Sequence, residues 1–399
     1  MFQRVLLFLL LLCKSFFPQH LWQVNKDTLI KWYYLDGDEF TDSIINENKW
    51  AYQYGWARSI YANKEQQYYT DGENHKLKNG ILSLYAIKNK KVAKLIDYLP
   101  ENDSVYNGLN KRTFEYLSGM LQSKIKFQYG YFEIKCNLPK EYGFWPACWL
   151  YGGTPNEEID WFECKTEKQN KIHVGRHSKL KEENKFRSGL SIRKKWWGTW
   201  IKFKGNISDG FHVISGEWNP NYIKFYLNGE CIAYSKIKLN EPKHLVVNLA
   251  VPSENGSFNP SPKKNSKTSG DFQIDYIRIW TANENVNNIS KEYASDNLLN
   301  IPKTKLISKS KMHYGNKKIH QNEGIIISLF PIKDDLYELT VLGKKINENS
   351  TLKIFDSSSK TTTEYKLTYG ANKISVKPGQ VLILSGIYED DVILLNKSL

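Results

Sequence analysis

The sequence predicts an all-β protein: an antiparallel β-sandwich of two large sheets, followed by a smaller β-rich unit. Three observations carry this. From about Leu29 to Trp280, short alternating or apolar segments are separated by Asn, Gly, Asp and Pro. No segment of useful length shows a helical apolar period. The 12 Trp, 25 Tyr and 18 Phe make up 14% of the 399 residues, and aromatic wealth of this kind suits strands and surfaces that stack on flat ligands.

Taken in order, the chain opens with Met1 to Arg4, an unbroken apolar run from Val5 to Cys13, and Lys14. That is the layout of a short basic region and an apolar export core, too short to span a bilayer. Residues 1–21 are therefore expected to be a signal peptide or a lipoprotein-type N-terminus, with Cys13 a candidate for lipidation. The expected location is exported: periplasmic, cell-surface or extracellular. Membrane attachment is expected only through that N-terminus. Cys136, Cys148, Cys164 and Cys231 are too few and scattered for a disulfide framework or a zinc site, and buried free thiols are expected.

Residues 29–281 form the main sandwich. Its strand segments include Gly80–Ala86, Gly130–Cys136, Tyr222–Leu227 and Phe272–Trp280, and Asn228-Gly229 between two such runs is a strong hairpin signal. Residues 282–318, polar and rich in Asn and Lys, read as a linker. Residues 319–399 then hold six further strand-like runs, enough for a small accessory β-sandwich: 323–329, 336–342, 352–355, 363–367, 372–376 and 380–384.

The net charge of +14, from 56 basic and 42 acidic residues, is uneven. Lysines 303, 305, 309, 311, 317 and 318 lie in a stretch with no acid and supply six of those charges. Such a run suits a solvated linker, or contact with an anionic polymer or membrane surface. Nucleic-acid binding would rest on charge alone, and none is expected.

The chemically informative segment is Glu158-Ile159-Asp160-Trp161-Phe162-Glu163. On an extended strand Glu158 and Asp160 share one face, and Ile159 and Trp161 the other. Glu163 joins the first two only if one extra residue, a β-bulge, resets the alternation. The outer α-carbons would then stand about 13 Å apart at roughly 3.3 Å per residue. Inward-reaching side chains would bring the carboxyls toward the ~5 to 5.5 Å spacing of a retaining glycosidase. Aligned like charges repel and raise at least one pKa, a cost that points to use. In that use Glu158 attacks an anomeric carbon, while Glu163 protonates the leaving oxygen and later activates water. Asp160 shares a proton or hydrogen bond with the nucleophile. From these six residues alone, an acidic exposed face or a calcium-binding strand stays open.

Around this segment the chain resembles glycoside hydrolase family 16, β-jelly-roll endo-hydrolases of β-glucans and algal galactans. The resemblance is carried by the bulged E-x-D-x-x-E motif and by Asp38-Glu39-Phe40 with Trp50. It also includes Glu65–Thr70, Lys126–Lys135, Leu138-Pro139, Gly143–Leu150, Phe211–Trp218, Asn248–Val251 and Asp275–Trp280, all in the family's order. It implies a concanavalin-like jelly roll with Glu158 as nucleophile, Asp160 as its electrostatic partner and Glu163 as acid/base. It further implies that Trp145 lines a sugar subsite. Trp149 is a second candidate there, although a core position suits it better, and Trp161 should point into the core. His173, Gly175 and His177 share parity on the next cleft strand, with His173 the better contact for the catalytic centre. Asp275 matches a position that in many relatives helps hold a structural calcium; catalysis itself needs no cofactor.

Two departures bear on substrate. Where laminarinase-like members carry an Arg, this chain reads Ser118-Gly119-Met120-Leu121, which weakens a plain β-1,3-glucan assignment. Arg193 to Trp200 places basic groups beside tryptophans, with Arg193 and Trp197 as candidate contacts to a sulfated or carboxylated sugar chain. The expectation is an exported, monomeric, retaining endo-β-glycosidase of a β-1,3-type glucan or sulfated algal galactan. A transglycosylase remodelling a surface glycan and a non-catalytic glycan-binding protein are the alternatives.

Overall fold

A computed structural model describes the fold. Side chains are described for residues 35–152, 157–178, 197–202, 205–229, 231–263 and 269–281, and for short pieces from 350 to 375. Backbone strands are described from His20 to Leu394 with breaks. The export signal and Cys13 lie outside the described residues.

The fold is the predicted all-β sandwich. One sheet runs in the order Ser191–Lys202, Lys171–Lys185, Glu157–Glu163, Trp145–Gly152, His244–Ala250, Met120–Ser123, Trp50–Ala51. The opposing sheet includes, as neighbours, Glu230–Lys236, Tyr222–Leu227, His212–Asn219, Gly130–Asn137, Ser269–Ala282 and Thr28–Asp38. Pairing is antiparallel apart from Gln67–Tyr69 beside Lys111–Ser118. The predicted hairpin is present: Leu227 pairs with Glu230, and Asn228 and Gly229 have φ of 49° and 79°, the left-handed pair that a two-residue turn requires.

Alternation builds the core. Phe132 and Ile134, Ile214 and Trp218, and Ile277 and Ile279 from one sheet meet Leu150, Ile159, Trp161, Phe162, Val247 and Leu249 from the other. The four cysteines in this region are buried and free, as their spacing suggested. The far side of the Gly130–Asn137 sheet is less ordinary. Glu133, Ser215, Glu217, Tyr276 and Arg278 alternate with core residues yet are buried. Tyr222 and Tyr226 donate to Glu217, Tyr276 donates to Glu133, and Arg278 donates twice to Glu39.

Beyond Ala282 the predicted strands recur as Ile326–Lys333, Leu336–Leu342, Thr351–Asp356, Thr361–Lys366, Asn372–Val376 and Gln380–Ser385. Two differences arise. The stretch read as a linker contains Ser308–Tyr314, paired with Lys317–Glu323 as a hairpin. In addition, His20–Asn25 pairs with both Thr28–Asp38 and Ile326–Lys333, so some C-terminal strands extend the main sheet. A division at residue 319 does not capture that pairing.

Gly216 lies on the core side of its strand beneath the Trp161 ring, where an added Cβ would stand 2.0 Å from Trp161 Cε3. Gly216→Ala should therefore cost roughly 3 kcal/mol through overpacking. Gly55→Ala, whose nearest neighbour would be 3.9 Å away, should change stability by less than about 0.5 kcal/mol. Urea denaturation of the two variants checks the difference.

Candidate active site

The site begins with a packing problem in the acidic strand. Trp161 and Phe162 are adjacent and both large and apolar, and both are buried in the interlayer core. A regular strand would send them to opposite faces. The chain inserts an extra residue instead. Against Trp145–Gly152 the register runs Tyr151 with Glu158, Trp149 with Asp160, then Cys148 with Phe162 and Ala147 with Glu163. Against Lys171–Lys185, Glu158 faces His177, Asp160 faces Gly175 and Glu163 faces His173. Trp161 is the unpaired residue of the bulge, and the three acids stand in a row on the side away from the core.

Each acid sits in a different setting. Asp160 is deepest, with its side chain 2% exposed, against 12% for Glu163 and 26% for Glu158. Gly175 makes room for it: a Cβ there would come within 3.1 Å of Asp160 Oδ2 and 3.2 Å of His173 Cε1. Trp145 Nε1 donates to Glu163 Oε1 at 3.2 Å, and His173 Nδ1 lies 2.8 Å from Glu163 Oε2. His177 Nε2 stands 3.6 Å from Asp160 Oδ2 and 3.8 Å from Glu158 Oε1.

Burial governs the protonation states. It is the largest cause pushing Glu163 up to about 8; the Trp145 hydrogen bond opposes it, and the Glu65 charge adds to it. Burial and then the neighbouring Asp160 charge push Glu158 upward, while burial and then Glu163 push Asp160 up to about 6. Both imidazoles are lowered by burial. At neutral pH the states consistent with these directions are a neutral His173 accepting at Nδ1 and a protonated Glu163 donating from Oε2. Glu158 and Asp160 compete for a second proton. Such a constellation offers one carboxyl poised as an acid and another, close by, as a nucleophile.

The structure sorts the other expected contacts. Trp145 lies on the cleft side but is only 7% exposed, because Phe258 stacks flat on it at 4.3 Å. Its contact with Glu163 makes it a positioning residue for that carboxyl. Trp149 shares the cleft-side face of the sheet with Trp145 but is buried in a cluster with Tyr54, Tyr69 and Met120 and donates to Asn248 Oδ1, which agrees with the core reading and not with a sugar contact. Trp197 faces the interlayer core and packs against Phe225, so it is not a cleft residue. Trp196, Gly198 and Trp200 are the positions paired with His177, Gly175 and His173. Of these, Trp200 is 39% exposed beside His173 and Phe258. The side chain of Arg193 lies outside the described residues.

Asp275 is ion-paired to Lys135 at 2.6 Å, and it is not among the residues grouped closely enough to hold a metal. The ammonium supplies the positive charge at that carboxylate, so the residues present do not fit a calcium there. Phe258 escaped sequence reasoning, and Trp200 and Glu65 lay within segments noted there without being singled out. Phe258 comes from an irregular loop at φ of 53°, and no spacing rule places such a residue over a strand forty positions or more away.

A carboxyl held protonated by the fold makes the native state the stronger proton binder between the ordinary carboxylate value of 4.5 and about 8. Stability at this position is therefore full below that window and declines as pH rises through it. Glu163→Gln should flatten the decline, so that its stability relative to wild type improves from pH 5 to pH 8. Urea midpoints across that range measure it, and parallel curves would contradict the assigned state.

The sequence profile described as Glycosyl hydrolases family 16 matches residues 63–278, more than half the chain. Endo-1,3-1,4-beta-glycanase ExsH of Rhizobium meliloti is 26% identical over 250 residues, covering 58% of this chain and 47% of ExsH. The chain thus spans about half the length of that relative. The beta-glucanase of Rhodothermus marinus is 26% identical over 287 residues, covering 64% of this chain and 87% of the relative. Among solved structures, the catalytic domain of an endo-1,3-beta-glucanase (laminarinase) from Thermotoga petrophila RKU-1 matches with a TM-score of 0.50 and 25% identity, covering 64% of this chain and 99% of that one. With its profile match spanning the strand that carries Glu158, Asp160 and Glu163, the chain belongs to glycosyl hydrolases family 16.

Proposed function

We propose that the chain is an exported endo-β-glycosidase that hydrolyses a β-1,3-type glucan with retention, using Glu158 as nucleophile and Glu163 as acid/base. The observation that carries this reading is the bulge at Trp161, which sets both glutamates on the cleft face with Asp160 between them. The names of the Rhodothermus marinus and Thermotoga petrophila relatives, a beta-glucanase and an endo-1,3-beta-glucanase, support glucan over sulfated galactan. The galactan reading leaned on Arg193, whose side chain is outside the described residues, and on Trp197, which faces the core. Met120, in the segment that departs from the laminarinase pattern, is fully buried among the aromatics beneath the cleft.

In the first step a Glu158 carboxylate oxygen bonds to the anomeric carbon as the glycosidic C–O bond breaks. The proton on Glu163 passes to the departing oxygen. In the second step Glu163, now a carboxylate, takes a proton from water. The water oxygen bonds to the anomeric carbon and the glycosyl–Glu158 ester bond breaks, restoring both residues. The proton shared in the Glu158–Asp160 pair rests on Asp160 during attack, leaving the nucleophile ionised. His173 and Trp145 hold Glu163 in place, and Trp200 offers an exposed ring at the edge of the site. The C-terminal strands act as an accessory unit, and the chain works as a monomer.

A reducing-end assay over laminarin, mixed-linkage glucan, agarose, porphyran and carrageenans should show release from the glucans, and mass analysis should give oligosaccharides rather than single sugars. An added oligosaccharide acceptor separates hydrolysis from transglycosylation. Glu158→Gln and Glu163→Gln should each lower kcat about 10²- to 10⁴-fold with the fold intact. Azide should restore turnover to Glu163→Ala, while Glu158→Ala with azide should yield a product of inverted configuration. Full activity in either Gln variant would overturn the assignment.

The pH profile follows from the same groups. As Glu163 loses its proton near pH 8, kcat/KM should fall on the alkaline side. A profile still rising at pH 9 would remove Glu163 from the acid role.

A further inference from the structure

We propose that Glu158, Asp160 and His177 form a binding site for a divalent ion of the zinc class, and that its occupancy gives a reversibly inhibited state of the enzyme. One ligand atom from each residue lies within 4.8 Å of the others, the one such group of three among the described residues. The imidazole Nε2 is 3.6 Å from Asp160 Oδ2 and 3.8 Å from Glu158 Oε1. A tetrahedral zinc ion with bonds of about 2.0 to 2.2 Å has ligand-to-ligand edges of roughly 3.3 to 3.6 Å. The two measured edges therefore need to close by only a few tenths of an ångström, and a tilt of the His177 ring, 45% exposed at the cleft surface, supplies that.

A second observation points to a ligand. Asp160 is 1% exposed, and its Oδ2 accepts no hydrogen bond. Buried carboxylate oxygens are costly without a partner, and this one is the oxygen on the His177 side. An ion placed between the three groups would satisfy it.

The chemistry of the set selects the ion. Two carboxylates and one imidazole, with the fourth position facing the cleft, match the borderline-soft ions that accept nitrogen and low coordination number. Calcium requires six to eight oxygens and magnesium retains its water, so neither is suited. A zinc ion held here would engage Glu158 through the oxygen pair needed for attack on an anomeric carbon. The inhibition, unlike the binding, rests on the proposed hydrolase reading.

Binding can be read without substrate. Isothermal titration of the full chain with ZnCl₂ at pH 7 should show one saturable site per chain, weakened at least about tenfold by His177→Ala and by Asp160→Asn, with no comparable heat from CaCl₂. His177→Ala removes a partly exposed ring and should leave the circular dichroism spectrum unchanged. Zinc should also suppress glucan hydrolysis by the wild type, and EDTA should restore it. Absence of saturable binding, or wild-type affinity in both variants, would overturn the site whatever the hydrolysis assays show. Tight zinc binding without any glucan cleavage would uphold the site and count against the hydrolase reading.

Discussion

One extra residue in one strand organises the molecule. Trp161 and Phe162 both enter the core between the sheets, which regular alternation forbids and a bulge permits. The same insertion returns Glu163 to the face that Glu158 and Asp160 already occupy. Packing and chemistry are thus the same event: aromatic burial, worth several kcal/mol for two such side chains, pays to line up three acids that would otherwise avoid one another. Gly216 below the Trp161 ring and Gly175 beside Asp160 are the two places where neighbouring strands give up a side chain to accommodate it.

The acids then derive their properties from depth. Glu163, closed in by Trp145, His173 and the Phe258 loop, keeps its proton because water cannot solvate its charge. Asp160, deeper still, is pushed up to about 6 by burial and then by Glu163, with His177 and the Glu158 hydrogen bond opposing the rise. Three carboxyls on a single strand therefore differ in acidity through their surroundings alone. Elsewhere the chain handles buried charge by pairing it, as in Lys243 with Glu157 at 2.6 Å and Arg278 with Glu39. The contrast between paired charges in the scaffold and crowded like charges in the cleft marks the cleft as the place of work.

The sequence reached the two-sheet class, the Asn228-Gly229 hairpin, the bulge and the shared face of the acids because these follow from local rules acting over a few residues. It erred where a residue's face depends on a neighbour's register. Trp197 was read as a sugar contact, yet the register between Lys171–Lys185 and Ser191–Lys202 puts Trp200 beside His173 and Trp197 in the core. Asp275 was read as a calcium ligand, but Lys135 on the adjacent strand is ion-paired to it. Glu133 and Glu217 alternate with core residues as surface groups do, and burial on the far side of their sheet is invisible to a rule that sees one strand at a time.

What the sequence determined by itself was the inventory and its local geometry: which strands form, and which acids can share a face. Both are set by backbone periodicity and by the need to bury adjacent aromatics. The tertiary structure alone decided the environment of each group. It brought the Phe258 loop over Trp145, set His173 on Glu163 and His177 beside Asp160, and excluded water by differing amounts along the row. Desolvation and long-range contact depend on atoms far apart in the chain, so the acidity and role of a carboxyl are settled only once the layers close.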